Sequence, residues 1–430
     1  MATKGRGELS FRVWLGAVAA LALVVRVTYI MLWSRDATLG FDASTYYELA
    51  KGIASHGRYE LLDPQAKSTA LFPPGFPLFL ALGRVLGFGT RTKMLLWTSG
   101  LGTVTVVLIG LVARRLANAK VALLAALIAA VYPNLWLADG ALMTETLTAA
   151  LVVMAAMLVM ELCANPRMVV GGALGVVLLW LSLTRSDGLV VAVLYCVAVV
   201  MVAKRTPAQL ARTTVASVAF AALITLVGVG VWQIRVHSEM QAFVPIAVNS
   251  WAVVAGANCE SAYYGERVGT WELPCVKTVE AFEVHKLRGE IAQNRYARDQ
   301  GIEYAREHLG RLPVVVAARI GRAFGAYDPW RELKVESRFE GRSLFWSRAG
   351  FIFYIALIPF AILGWISARR GGARGIFVLL IPVCSVMISV AFGYGNHRFR
   401  MPLEPCLVVL AAMGLHRVVS RRDGAKEVAI

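Results

Sequence analysis

Charge is scarce in this chain, and acid is scarcer than base. Asp, Glu, Lys and Arg make up 17% of the residues, with 27 acids against 44 Lys and Arg. A soluble domain carries about 25% charged residues and about 45–50% apolar ones. The 58% hydrophobic content of this chain therefore excludes an ordinary soluble protein. Internal repeats and low-complexity tracts are missing too, so nothing points to a repeat array or a polar tail. The net charge of +17 would suggest nucleic acid on a soluble protein. No basic, aromatic-rich soluble module exists to carry that role, so nucleic-acid binding is not expected. Nor does a small-x-small cleavage site follow the first apolar run, residues 11–33. That run exceeds the core of a signal peptide and reads as a retained anchor with its N-terminus inside.

What is present is a succession of apolar runs, the mark of an all-α polytopic membrane protein. Ten spans are expected, at 11–33, 92–113, 119–137, 141–163, 168–184, 188–203, 214–235, 348–367, 375–392 and 402–418. The stretch 71–88 is apolar as well, but it opens with three prolines and carries Arg84. With ten spans, Arg114, Arg115, Lys120, Arg167, Lys204, Arg205, Arg212, Arg369, Arg370, Arg374 and the tail from Arg417 share one side. Counting 71–88 as a span would break this positive-inside pattern, so it is expected to lie along the outer surface. The organisation follows: an N-terminal transmembrane module, 1–235, with a first outer loop at 34–91; a small helical extracytoplasmic segment, 236–347; and C-terminal helices with a basic tail, 348–430. Both termini are expected in the cytoplasm of a plasma-membrane protein.

Four of the six cysteines fall inside or at the ends of apolar runs and read as small buried residues. Cys259 and Cys275, in NCESAYYGERVGTWELPC, sit in the long outer segment. An even pair in an oxidising compartment reads as a disulfide.

The residues able to do chemistry converge on one membrane face. Asp42 follows the first span, in LGFDASTYYELA. It reads either as the N-cap of a helix beginning near Ala43 or as a general base or metal ligand at the interface. Tyr46, Tyr47, Leu49, Ala50 and Ile53 form one side of that helix, which suits a helix lying in the interface. Arg26 lies within the first span, where a charge marks a site or a buried pair. Asp139 and Gly140 form an outer turn, and Glu145 is expected one and a half turns into the next span, with Arg185 as its partner. Asp187 shares a second outer turn with Arg185. His397, Arg398 and Arg400 meet at the mouth of the last helix, and Arg319 and Arg322 share one face of an interfacial helix. Arginine forks match phosphate oxygens, with anchoring to lipid headgroups as the simpler reading. Acids that activate a hydroxyl beside arginines that hold a phosphate suggest group transfer from a lipid phosphate.

Four stretches carry a family resemblance: FDASTYYELAKGIASHGRY followed by FPPGFPLFLAL; LADGALMTETL; LTRSDGL; and HRFRMPLEPCLVVLAA. With them the chain resembles the polyprenyl-phosphate-sugar-dependent glycosyltransferases of the GT-C superfamily, nearest the family 39 type that includes protein O-mannosyltransferases and aminoarabinose transferases. NCESAYYGERVGTWELPC and VAARIGRAFGAYDPW look actinobacterial. The resemblance implies a polyprenyl-phosphate sugar donor and an acceptor hydroxyl on a glycan, lipid or protein. It implies Asp42 as the catalytic acid. Arg26, His397, Arg398, Arg400, Arg319 and Arg322 would hold the donor phosphate, and Tyr46, Asp139, Glu145, Arg185 and Asp187 would shape the sugar or acceptor site. No cofactor is firmly implied. A divalent metal stays open, because Asp36 and Glu48 do not reproduce the second acid of many relatives. The alternatives are a transporter or flippase for a lipid-linked sugar, which would place acids near the bilayer midplane, and a non-catalytic assembly partner.

Overall fold

The computed structural model describes residues 2–61, 68–276, 278–373 and 375–427. Arg374 and the side chains of Lys4 and Arg6 lie outside the described residues. The fold is all-α. Among the described residues the single β pairing is an isolated bridge between Glu60 and Ser68.

Among the described residues, the chain up to Met240 runs through ten α-helices. α1 (Ala2–Tyr29) continues into a short π-helical turn, Ile30–Ser34. Then come α2 (Phe41–His56), α3 (Gly75–Val85), α4 (Arg91–Leu116), α5 (Ala119–Val131), α6 (Pro133–Asp139) and α7 (Glu145–Ala164). α8 (Met168–Thr184), α9 (Gly188–Ala203) and α10 (Ala208–Met240) complete it. The next segment is built from α11 (Asn249–Ala257), α12 (Glu260–Tyr263), α13 (Thr278–Glu283), α14 (Glu290–Glu307), α15 (Leu312–Ala323) and α16 (Pro329–Glu340). α17 (Leu344–Arg370), α18 (Ile381–Phe392) and α19 (Glu404–Glu427) close the chain.

Among the described residues, five helices are long and apolar enough to cross a membrane: Glu8–Ser34, Arg91–Leu116, Glu145–Ala164, Ala208–Met240 and Leu344–Arg370. α5 and α6 pass the same test together, with a 54° bend between them. The bend has a local cause. Pro133 lacks an N–H and crowds the residue before it, and Tyr132 takes an extended conformation with ψ 113. α8, α9 and the stretch 376–392 are apolar but shorter. The chain is thus a multi-pass membrane protein. Lipid-facing side chains such as Leu226, Val231, Ile234 and Ile352 stand outward. α3, with 11 residues, rises only about 16 Å against a hydrocarbon core of about 30 Å. It does not cross.

α4, α5, α7, α17 and α19 supply much of the main core cluster. α17 and α19 meet at Gly364 and Gly414, where a Cβ on either would strike the other helix's backbone. Asn118 caps α5 by accepting from the Val121 N–H, and Thr90 caps α4 by accepting from Lys93. The cysteines of the outer segment are joined: Cys259 and Cys275 form a disulfide with Cα atoms 6.2 Å apart.

Candidate active site

Asp42 lies in the first turn of α2, and it is not the cap. The N-cap is Gly40, and no side chain caps the helix. This corrects one of the two readings of Asp42. Its carboxylate, 28% exposed, instead faces Arg398, with Oδ2 3.4 Å from Nη2. α2 is held against the FPPGFP stretch, where Tyr46 packs on Phe72 at 4.7 Å and on Phe76 at 5.2 Å. Burial, with Asp42 adding to it, pushes the Tyr46 hydroxyl well above its ordinary value, so it stays protonated. Gly75 in turn sits against α8. Trp180 donates to the Gly75 carbonyl at 3.2 Å, and a Cβ there would strike Leu183 and Thr184. The proline-rich stretch thereby ties α2 to the end of α8, next to Arg185.

Arg398 is the hub. Its Nη1 donates to Glu340 Oε1 at 2.8 Å, and its backbone N–H donates to Glu336 Oε1 at 3.2 Å. Arg342 lies 2.8 Å from Glu340 Oε2 through Nε, without the alignment of a hydrogen bond. Both Glu336 and Glu340 project from the end of α16. That end packs directly against the loop before α2: a Cβ on Gly40 would strike the Phe339 carbonyl, and one on Gly341 would strike that of Thr38. Gly341 also takes the left-handed conformation, φ +67, that glycine adopts without strain. Burial and the adjacent Glu340 push the Glu336 carboxyl up to about 8. Burial opposes the Glu340 charge as well, but Arg342 and Arg398 outweigh it and hold that carboxyl below its usual value.

Glu145 completes the cluster. It begins α7 rather than lying one and a half turns inside, because residues 140–144 form a turn in which Leu142 has φ +49. A carboxylate suits a helix N-terminus. Its nearest cations are Arg342 at 3.9 Å and Arg398 at 4.0 Å. The expected partner, Arg185, is spent on Asp187 at 2.9 and 3.1 Å and reaches Thr144 Oγ1 at 3.4 Å.

The remaining arginines are turned to protein. Arg26, 1% exposed, donates to Asp139 Oδ2 at 2.7 Å, and Thr146 donates to Oδ1. This is a buried pair inside the bundle, which differs from the expected places of Arg26 at the phosphate and Asp139 at the sugar. Arg319 donates to the carbonyls of Ala391 and Ala257 and to Asn258. Arg322 donates to Val268, Glu266 and Glu332, and Arg400 to Glu404 and Ala323. His397 stacks on Phe351 at 5.5 Å. Burial, with Arg400 and Arg322 nearby, lowers its pKa well below the ordinary value and leaves it neutral. Of the six expected phosphate ligands, Arg398 alone faces Asp42.

Glu336, Glu340 and Arg342 were not singled out in the sequence. They lie in WRELKVESRFEGR, which reads as a solvated charged helix. The available signal was spacing: Glu332, Glu336 and Glu340 recur every four residues and so share one face. Among the described residues, no three His, Cys, Asp or Glu side chains converge as metal ligands. The carboxylates of Asp42, Glu145 and Glu340 instead surround Arg398.

The chain matches no family model and no curated protein. Solved structures do resemble it. The apo oligosaccharyltransferase of Archaeoglobus fulgidus aligns at 14% identity over 97% of this chain and 52% of that one, with a TM-score of 0.55. AglB from Archaeoglobus fulgidus, in complex with an inhibitory peptide and a dolichol-phosphate, aligns at 12% identity over 97% and 52%, with a TM-score of 0.50. ArnT from Cupriavidus metallidurans, bound to undecaprenyl phosphate, aligns at 16% identity over 97% and 80%. Its TM-score is 0.47. The chain spans about half the length of the oligosaccharyltransferases it resembles. The likeness is one of fold.

Proposed function

We propose that the protein is a membrane glycosyltransferase that moves a sugar from a polyprenyl-phosphate donor to an acceptor hydroxyl on the extracytoplasmic face. The observation that carries this reading is the Asp42 carboxylate, free of any capping role and partly exposed beside Arg398. In the proposed step the acceptor oxygen bonds to the anomeric carbon as the bond from that carbon to the phosphate oxygen breaks. The acceptor proton passes to Asp42, and polyprenyl phosphate leaves. Arg398 holds the departing phosphate, whose growing charge a guanidinium meets with two donors. Tyr46, Glu145, Arg185 and Asp187 shape the sugar and acceptor site. The fold supports the reading, because AglB, which resembles it, is in complex with a dolichol-phosphate. The four stretches from FDASTYYELA to HRFRMPLEP support the family 39 branch. The acceptor is a glycan, lipid or protein hydroxyl.

The test is lipid mass spectrometry of the purified full chain, followed by transfer assays with the donor it identifies. Asp42→Asn is expected to retain the lipid-linked sugar while transfer falls about 100-fold or more, the usual contribution of a positioned general base. A variant that transfers at the wild-type rate would remove Asp42 from the chemistry. Finding no polyprenyl-phosphate sugar in either preparation would favour the transporter or assembly-partner readings.

A further inference from the structure

Four charges form a ring behind Asp42: Glu340, Arg398, Glu145 and Arg342. Two sides of the ring are close. Glu340 lies 2.8 Å from Arg398 and 2.8 Å from Arg342. The two sides that meet at Glu145 are open, at 4.0 Å and 3.9 Å. Those distances are too long for hydrogen bonds. Glu145 is fully buried, and neither carboxylate oxygen has a hydrogen-bond partner. The arginine atoms that face it, Arg398 Nε and Arg342 Nη2, are also buried and without partners. A buried carboxylate left without donors is costly, so the ring is complete only when something stands in the gap.

The unmet atoms identify what that is. Those at the two open sides are two arginine donors and one carboxylate acceptor, and both gaps open on the same oxygen, Glu145 Oε1. The occupant must accept from two arginines and donate to a carboxylate through one atom. A phosphate diester oxygen cannot donate. An ammonium cannot accept. A hydroxyl does both, as does water.

We propose that Glu145, with Arg342 and Arg398, is the site that reads a hydroxyl of the transferred sugar, water holding the gap until the donor arrives. The inference rests on the glycosyltransferase reading above and narrows its substrate to a sugar presenting a free hydroxyl, not an amine, at this position. Arg342 thereby joins the site as a specificity residue. The hydroxyl enters without displacing any hydrogen bond, because none joins Glu145 to either arginine.

The experiment compares the affinity of the detergent-purified full chain for farnesyl phosphate with its affinity for farnesyl phosphoryl-mannose and farnesyl phosphoryl-arabinose. The wild type is expected to bind at least one sugar-bearing probe about tenfold tighter than farnesyl phosphate. Glu145→Gln and Arg342→Gln are expected to lose that gain and keep their affinity for farnesyl phosphate within about twofold. Retention of farnesyl phosphate shows that the variant is folded. Should Glu145→Gln fail to retain it, Glu145→Asp, which keeps the charge and withdraws the oxygens, is measured by the same ratio. A gain that survives both Glu145 substitutions overturns the proposal. So does a wild type that binds all three probes equally, and that result leaves the lipid-phosphate reading standing. A wild type that binds none of them overturns both.

Discussion

Glu336 keeps its proton at neutral pH, and that proton lets it sit beside Glu340 under the Arg398 backbone. The groups around it are Glu340, Glu332, Arg342 and Arg400. Its folded carboxyl titrates near 8, against an ordinary value of 4.5. Between those values the unfolded chain has released the proton and the folded chain still holds it. Stability therefore falls as pH rises through this window, by up to about 1.4 kcal/mol per unit for one proton, and levels off above it. Glu336→Gln removes the titration. Thermal unfolding in detergent from pH 5 to 9 should show the wild type losing stability relative to this variant up to about pH 8. Parallel curves would mean that Glu336 is already ionised. At this scale the sequence was only partly legible. Arg26 stands out because charge inside an apolar run is conspicuous, and Asp139 stands out as a turn residue, but their pairing with each other depends on how α1 and α6 pack. Arg342 and Glu340 were hidden for the opposite reason, since charges in a polar stretch look solvated until packing buries them.

Among the elements, the loop closed by Cys259 and Cys275 holds the outer segment to the site. Its carbonyls at Glu266 and Val268 accept from Arg322, and Asn258, just before it, accepts from Arg319. The Gly269 carbonyl takes the Gly395 N–H at 2.8 Å, three residues before Arg398. Arg322 also binds Glu332 of α16, which carries Glu336 and Glu340. Closing a loop of this length contributes roughly 3 kcal/mol by constraining the unfolded chain. Replacing both cysteines with alanine should lower thermal stability by about 2–4 kcal/mol. Reductant should bring the wild type to the variant's unfolding midpoint and leave the variant unmoved. Equal midpoints before reduction would show that the arginines hold the loop unaided. Several elements were readable from local chemistry. The side-sharing of the short basic loops signals that α3 does not cross, and the cysteine pair signals its bond. The bend at Pro133 was passed over, because α5 and α6 form one continuous apolar run and periodicity alone does not report a change of direction.

Across the whole molecule, the helix directions separate two kinds of charge. α7 begins at Glu145 and ends shortly before Arg167; α9 begins just after Asp187 and ends just before Lys204 and Arg205; α17 begins just after Arg342 and ends at Arg369 and Arg370. The candidate site therefore lies at one end of these helices and the short basic loops at the other. At the basic end, Arg115 and Arg167 both pair with Glu161, and Arg114 pairs with Glu8 at the start of α1. Short loops rich in Lys and Arg stay in the cytoplasm, so the Asp42 end is expected outside, where a disulfide also forms. This predicts the outcome of labelling with a membrane-impermeant maleimide, in a background where Cys163, Cys196, Cys384 and Cys406 are alanine. Glu266→Cys, on the exposed outer segment, should label in intact cells. Lys204→Cys should label only after the membrane is opened. The reverse pattern would turn the molecule over and place Asp42 and its arginines on the cytoplasmic side. A sugar donor there would have to be loaded from within, and the proposed transfer to an external acceptor would fail on geometry alone, whatever Asp42 can do chemically.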